Sequence, residues 1–149
     1  VKKKVSIMSW LKSMMEKEPP EPENPIGTIV LGAIEGDPHK APKDMVRKSL
    51  KSANFKVVDL GNKVPAANFA KKAKEVNADI IAVSCSTTPG KNNLPKFMEA
   101  VEAEGLKGKV AIMVGGVGVE KDDADEFGIM YGSTREEAVA LAKKAMQAK

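Results

Sequence analysis

From Thr28 onward, short apolar runs alternate with stretches whose apolar residues fall three and four apart, and the alternation repeats five times. The run TIVLGAI, Thr28 to Ile34, reads as a strand; KDMVRKSLKSA after it places Met45, Val46, Leu50 and Ala53 on one helical face. The same unit returns as FKVVDLG with AANFAKKAKEV, ADIIAVSCS with NLPKFMEAVEA, and KVAIMVGG with a short acidic helix near Lys121 to Glu126. It closes as GIMY with TREEAVALAKKAMQA, where Ser133 is placed to cap the last helix. Strands that are apolar throughout are buried on both faces, because the crossover helices of a parallel sheet pack on each side. The pattern therefore predicts an α/β fold: a flavodoxin-like, Rossmann-like, doubly wound five-stranded parallel sheet with helices on both faces.

The N-terminal part breaks this rhythm. EPPEPENP, Glu18 to Pro25, has four prolines separated by glutamates and predicts an extended, semi-rigid linker over residues 18–26. It is expected to divide a basic tail, residues 1–17, from one domain over 27–149. In the tail, Ile7, Trp10, Leu11, Met14 and Met15 have helical spacing, so a short amphipathic helix is expected, docked on its own domain, a partner or a membrane surface. The chain begins at valine, and a further segment upstream is expected.

Charge changes the picture only in the tail. The net charge of +4 resides in residues 1–17, which hold five lysines against one glutamate; the remainder is balanced. A basic footprint on the folded part is missing and aromatic residues are few, which argues against a nucleic-acid partner. No run approaches the roughly 18 apolar residues of a membrane span, and the chain start has no signal-peptide pattern, so a cytoplasmic location is expected. The single cysteine, Cys85, cannot form an internal disulfide, in keeping with a reducing compartment.

Ligands of open parallel sheets bind outside the carboxyl ends of the strands, near the point where strand order reverses. Three segments at that rim carry chemistry: the loop GDPHKAP after the first strand, the hydroxyl cluster Ser84, Ser86, Thr87 and Thr88 after the third, and Gly115, Gly116 and Gly118 after the fourth. The first contains the only histidine, His39, two residues after Asp37. In an extended segment the two side chains point the same way, so the carboxylate can orient the imidazole as a second-shell carboxylate orients a metal-bound histidine. With one His and one Cys, a zinc site would need at least two carboxylates. A metal here would arrive with most of its ligands supplied, as in a tetrapyrrole-type macrocycle. Taken alone, Asp-x-His is equally a structural or surface pair, and the hydroxyls are equally loop hydrogen-bonders.

From Gly27 on, GTIVLGAIEGDPHKAPKDMVRKSLKSANFKVVDLG resembles the cobalamin-binding domain of methionine synthase, of methanol and methylamine corrinoid proteins, and of cobalamin-dependent mutases. Its order of Asp-x-His-x-x-Gly, Ser-x-Leu and Gly-Gly matches Asp37 and His39, Ser84, and Gly115 with Gly116. The resemblance implies a cobalamin or related corrinoid bound base-off, with His39 as lower axial ligand to cobalt in place of dimethylbenzimidazole. Asp37 would orient His39, Ser84 would meet the displaced nucleotide tail, and Gly115 and Gly116 would leave room for it. Lys40, Pro42, Ser86, Thr88 and Gly132 complete the expected cofactor-binding set.

The match has departures: Pro42 stands where the family has glycine, Ser86 where it has leucine, and GIMYG where the family has Gly-Ala-Asp. Proline suits the start of the following helix but is expected to push Ala41 toward extended geometry. The loop SCSTTPGKNNLPKFMEAV is most similar to the methyltransferase corrinoid proteins. That implies a methyl carrier cycling between Co(I) and methyl-Co(III), without a complete active site of its own. Its partners would be methyl-donor-specific and methyl-acceptor methyltransferases and a reductive activase. The helical cap these proteins place before the domain would come from an upstream segment or from a partner. Two alternatives stay open: the small cobalamin-binding subunit of an adenosylcobalamin-dependent mutase, and a flavodoxin-like domain that has lost corrinoid binding. Among other users of the fold, a phosphorylation receiver would need an aspartate where Ser84 stands, and Asp59 is expected to be a turn residue. A flavin carrier would need a hydroxyl-rich first loop.

Overall fold

The computed structural model describes residues 11, 12 and 14–149. Five parallel strands, β1 (Thr28–Ala33), β2 (Lys56–Asp59), β3 (Ile80–Ser84), β4 (Ala111–Gly115) and β5 (Met130–Tyr131), lie in the order β2-β1-β3-β4-β5. The chain leaves β1 toward β2 on one side and returns to β3 on the other. The rim above the β1/β3 junction is therefore the topological switch point. Register there is tight: Ala33 lies opposite Ser84, and Ser84 opposite Gly115.

Six helices follow: α1 (Ala41–Ser52), α2 (Ala66–Val76), α3 (Thr88–Lys91), α4 (Leu94–Ala103), α5 (Lys121–Phe127) and α6 (Arg135–Gln147). Most ends follow local chemistry. A capping box joins Glu120 and Asp123 at the start of α5, and Gly128 and Asn77, both left-handed, end α5 and α2. The α6 cap differs from expectation: Thr134, rather than Ser133, accepts the Glu137 N–H at 3.1 Å. Ser133 stands one residue earlier, and its hydroxyl donates to the Glu137 carboxylate at 2.6 Å. Ala41 also departs from expectation, being helical, with Pro42 in the first turn, where a missing N–H costs no helical hydrogen bond.

Successive strand residues face opposite sides, so the sheet has two cores. Val30, Ile81, Val83 and Val114 pack under α2, α4 and α5, where Phe69 and Phe97 meet edge to face with centroids 5.4 Å apart. Leu31, Ala82 and Met113 face α1 and α6, where the buried residues of α6 are Ala138 and Ala142, with Val139, Leu141, Ala145 and Met146 partly buried beside them.

Residues 18–26 are not a free spacer. Glu18 pairs with Arg47 at 2.8 Å and Lys51 at 2.9 Å, Glu21 pairs with Lys51, and the Ile26 N–H donates to the Asn54 carbonyl. The prolines hold the segment extended while its glutamates lie on the basic side of α1. Burial opposes the ionised form of Glu18, but its hydrogen bond to Arg47, first, and its bond to Lys51 outweigh this and bring its pKa down to about 2. Of the expected tail helix, Leu11, Lys12, Met14 and Met15 are helical, and Ile7 and Trp10 lie outside the described residues. Among the described residues no helix is long and apolar enough to cross a membrane.

Candidate functional site

The Asp37–His39 pair forms, but through a turn rather than an extended segment. The Asp37 N–H donates to the Ile34 carbonyl, and one carboxylate oxygen, Oδ1, accepts both the His39 backbone N–H at 3.0 Å and the imidazole Nδ1 at 2.8 Å. This is an Asx-type arrangement, in which a short carboxylate side chain closes on the backbone two residues ahead. The other oxygen, Oδ2, takes the Ser86 N–H at 2.6 Å and so ties the β1 loop to the β3 loop. Asp37 is fully buried, whereas the His39 side chain is 50% exposed. The carboxylate is fixed by the fold, and the imidazole is fixed by the carboxylate and faces outward.

The β3 loop is held from both sides. Thr87 Oγ1 accepts the Gly90 N–H and donates to the Gly36 carbonyl, so Thr87 is the hydroxyl that joins the two loops, whereas Thr88 is exposed at the start of α3. Pro89 marks the first helical turn, but it follows Thr88 directly, and the cap is Thr87, one residue earlier, so the sequence alone does not separate the two threonines. Ser86 contributes its backbone N–H, and its Oγ is buried without a hydrogen-bond partner. Lys40 is exposed just before α1.

The glycines after β4 have a steric reason of their own. A Cβ on Gly116, whose φ is +118°, would lie 2.2 Å from the Cys85 carbonyl oxygen, and one on Gly115 would lie 2.3 Å from that of Gly132. The β4 loop thus sits directly against its neighbours on both sides. Below it, on the α1/α6 face, is a cavity of about 180 Å³. Leu31, Ala82 and Met113 lie on its sheet side, Met45 and Val46 on the α1 side and Ala138 on the α6 side. It reaches Ser84, Gly115, Gly116 and Gly132 at the rim and Pro42 at the start of α1. Ser84 is 7% exposed and lines it. The structure thus divides the expected site residues into an imidazole rim of Asp37, His39 and Ser86 and a cavity of Pro42, Ser84, Gly115, Gly116 and Gly132. Lys40 and Thr88 belong to neither.

Asp59, expected to be a turn residue, is half-buried at the end of β2, with Lys43 at 2.6 Å and Arg47 at 2.9 Å. Burial pushes its pKa up, but Lys43, the Gly61 N–H and Arg47 together hold it below the usual carboxylate range. The carboxylate is neutralised, unlike one kept for a divalent ion. Among the described residues no three His, Cys, Asp or Glu side chains converge to hold an ion unaided.

The model of the B12 binding domain matches residues 27–142. This chain belongs to the B12-binding domain family. Trimethylamine corrinoid protein 1 of Methanosarcina mazei is 42% identical over 137 residues, covering 91% of this chain and 63% of that protein. The chain thus spans about three fifths of the length of that relative. A cobalamin-binding protein from Desulfitobacterium hafniense superposes with a TM-score of 0.76 at 29% identity, covering 80% of this chain and 58% of that one. The methanol:cobalamin methyltransferase complex from Methanosarcina barkeri superposes at 0.78 and 22% identity, a likeness of fold alone, over 95% of this chain and 53% of that one.

The cofactor of this B12-binding domain is cobalamin or a related corrinoid, and the residues present fit it. The rim offers one oriented, outward-facing imidazole, and a macrocycle brings the remaining cobalt ligands itself. Beside it lies a mostly apolar cavity of a kind that takes an aromatic group, with a polar hydroxyl at its upper edge. The Ser86 hydroxyl adds a buried polar atom left unpaired by the protein, a costly state unless a ligand or water meets it. Pro42 lines the cavity from the first turn of α1, so the departure from glycine leaves the Asp37 turn and the helix start intact.

Proposed function

We propose that this chain is the corrinoid-carrying part of a methyl-transfer protein. On this reading it holds the cofactor base-off, with His39 as lower ligand to cobalt and the displaced nucleotide tail in the cavity beside the sheet. The observation that carries the reading is the Asp37-bound imidazole. Asp37 Oδ1 accepts the proton of Nδ1, which leaves the Nε2 lone pair free on the half-exposed side of the ring. A neutral, oriented Nε2 is what a metal ligand needs, and the hydrogen bond to carboxylate raises its basicity. When bound, the corrinoid supplies the redox and methyl-accepting chemistry of its cobalt. The chain's own residues bind and orient it, with the Asp37 carboxylate holding the imidazole in place for ligation.

Methyl-donor-specific and methyl-acceptor methyltransferases, with a reductive activase, are the proposed partners. The trimethylamine corrinoid protein, at 42% identity, supports this class. A cytoplasmic setting accords with Cys85, the single cysteine of the chain, standing buried as a thiol.

The test is the absorption spectrum of the chain loaded with hydroxocobalamin and freed of unbound cofactor, beside His39→Ala and Asp37→Ala variants. The wild type retains corrinoid with a histidine-ligated, base-off spectrum that His39→Ala lacks. Asp37→Ala binds about 10–100-fold more weakly, the usual cost of removing a partner that orients a metal ligand. Identical retention and spectra in all three proteins would overturn the assignment of His39.

A further inference from the structure

The cavity is largely apolar, and two charged residues line it, Glu136 and one cation, Arg135, the first residue of α6. Its position runs against helix electrostatics. The first turn of a helix carries the positive end of the dipole and favours acidic residues, which α6 supplies as Glu136 and Glu137 immediately after. A cation is disfavoured there unless something else requires it.

The counter-ion of Arg135 comes from outside the region that matches the family. Its Nη1 and Nη2 donate to Glu16 Oε1 at 3.1 Å and Oε2 at 2.8 Å, a forked pair, while Nε donates to the Ser49 hydroxyl of α1. Among the described residues no carboxylate between 27 and 149 pairs with it. The hydrogen bond from Arg135 is the main reason the Glu16 carboxyl lies below its usual range. A forked carboxylate and a phosphodiester present the same paired oxygens to a guanidinium. Glu16 thus occupies Arg135 as a phosphate ester would, and it belongs to a segment that is otherwise tied down by Lys48 on its carbonyl and by the Glu18 ion pairs.

We infer that Arg135 recognises the phosphodiester of the corrinoid's nucleotide tail, and that Glu16 is the internal carboxylate that must release the guanidinium before the tail is seated. The inference rests on the corrinoid reading above and deepens it. It makes Arg135 the residue that distinguishes a complete corrinoid from one without a nucleotide, and it makes the segment before the domain a competitor for the tail. Neither residue touches the imidazole rim.

The test is equilibrium titration, followed by absorbance, of the full chain with aquocobalamin and with cobinamide, the corrinoid lacking the nucleotide and its phosphodiester. Arg135→Gln weakens cobalamin binding tenfold or more and changes cobinamide binding by less than twofold. Glu16→Gln tightens cobalamin binding severalfold and leaves cobinamide unchanged. Arg135→Lys, which keeps the charge and loses the fork, falls between wild type and Arg135→Gln. Equal losses for both corrinoids in Arg135→Gln would mark a purely structural residue and overturn the inference, as would unchanged affinity for both. Wild-type chain that binds neither corrinoid would overturn the corrinoid reading itself, and this inference with it.

Discussion

The two faces of the sheet are built from the same five strands and reach opposite ends. Under α2, α4 and α5 the space is filled by Phe69 and Phe97, both fully buried, with valine and isoleucine beneath them. Under α1 and α6, Leu50 and Phe55 are also fully buried, but toward the rim Ala82 and Ala138 face each other across a cavity of about 180 Å³. Each set of helices covers its face of the sheet, but only one fills its face up to the rim. The difference assigns stability to the first face and ligand capacity to the second, since unfilled apolar volume in a close-packed interior loses contacts that the protein itself could have made.

The largest effect expected from breaking this contrast is on the filled face. Phe97→Ala removes a buried aromatic from the edge-to-face pair and is expected to cost about 3–5 kcal/mol, read from the denaturant midpoint. Corrinoid affinity of the fraction that remains folded is expected to stay near wild type. The second expectation reverses the experiment. Ala138→Leu places a larger side chain in the cavity, so cobalamin affinity is expected to fall tenfold or more while stability changes by no more than about 1 kcal/mol. A large stability loss in Ala138→Leu with unchanged binding would mean that the hollow face is an ordinary core.

The smallest effect concerns the segment that lies along the outside of α1. Because the Glu18 pKa is depressed to about 2 in the folded chain, its contribution is present in full above the ordinary carboxylate range. It is lost as pH falls from about 4.5 toward 2. The protection of the Lys17 and Glu18 amides, each exchange rate referred to that of an unstructured peptide at the same pH, is expected to fall through that window and in high salt, which screens such exposed pairs. The Asp37 turn, buried and uncharged at its other contacts, is expected to stay protected in high salt.

The fold was legible because each strand is a short apolar run and each helix has a clear polar face. The order of strands follows from the connections. At the rim the pairing of Asp37 with His39 was also readable, although it arises from an Asx-type turn that strand geometry does not describe. Less of the β3 loop could be read: Ser86, Thr87 and Thr88 are alike as residue types, and Pro89 stands next to Thr88 although Thr87 is the hydroxyl that caps. The cavity was hidden because its walls come from Leu31, Met45, Ala82 and Ala138, residues far apart in the chain with no common motif. Residues 18–26 read as a spacer from their prolines alone, while their glutamates find partners on α1 that are distant in sequence. Arg135 left one trace, a basic residue in the first turn of a helix.

The central claim is that His39 provides the lower ligand to cobalt. It is tested most directly by electron paramagnetic resonance of the chain loaded with the Co(II) corrinoid. One axial nitrogen splits the cobalt lines, and uniform ¹⁵N labelling of the protein changes that splitting only if the nitrogen belongs to the protein. Because the chain has a single histidine, a change from triplets to doublets identifies His39, and this is the expected result. Triplets that persist in the labelled protein would place the cofactor's own base on cobalt and contradict the account.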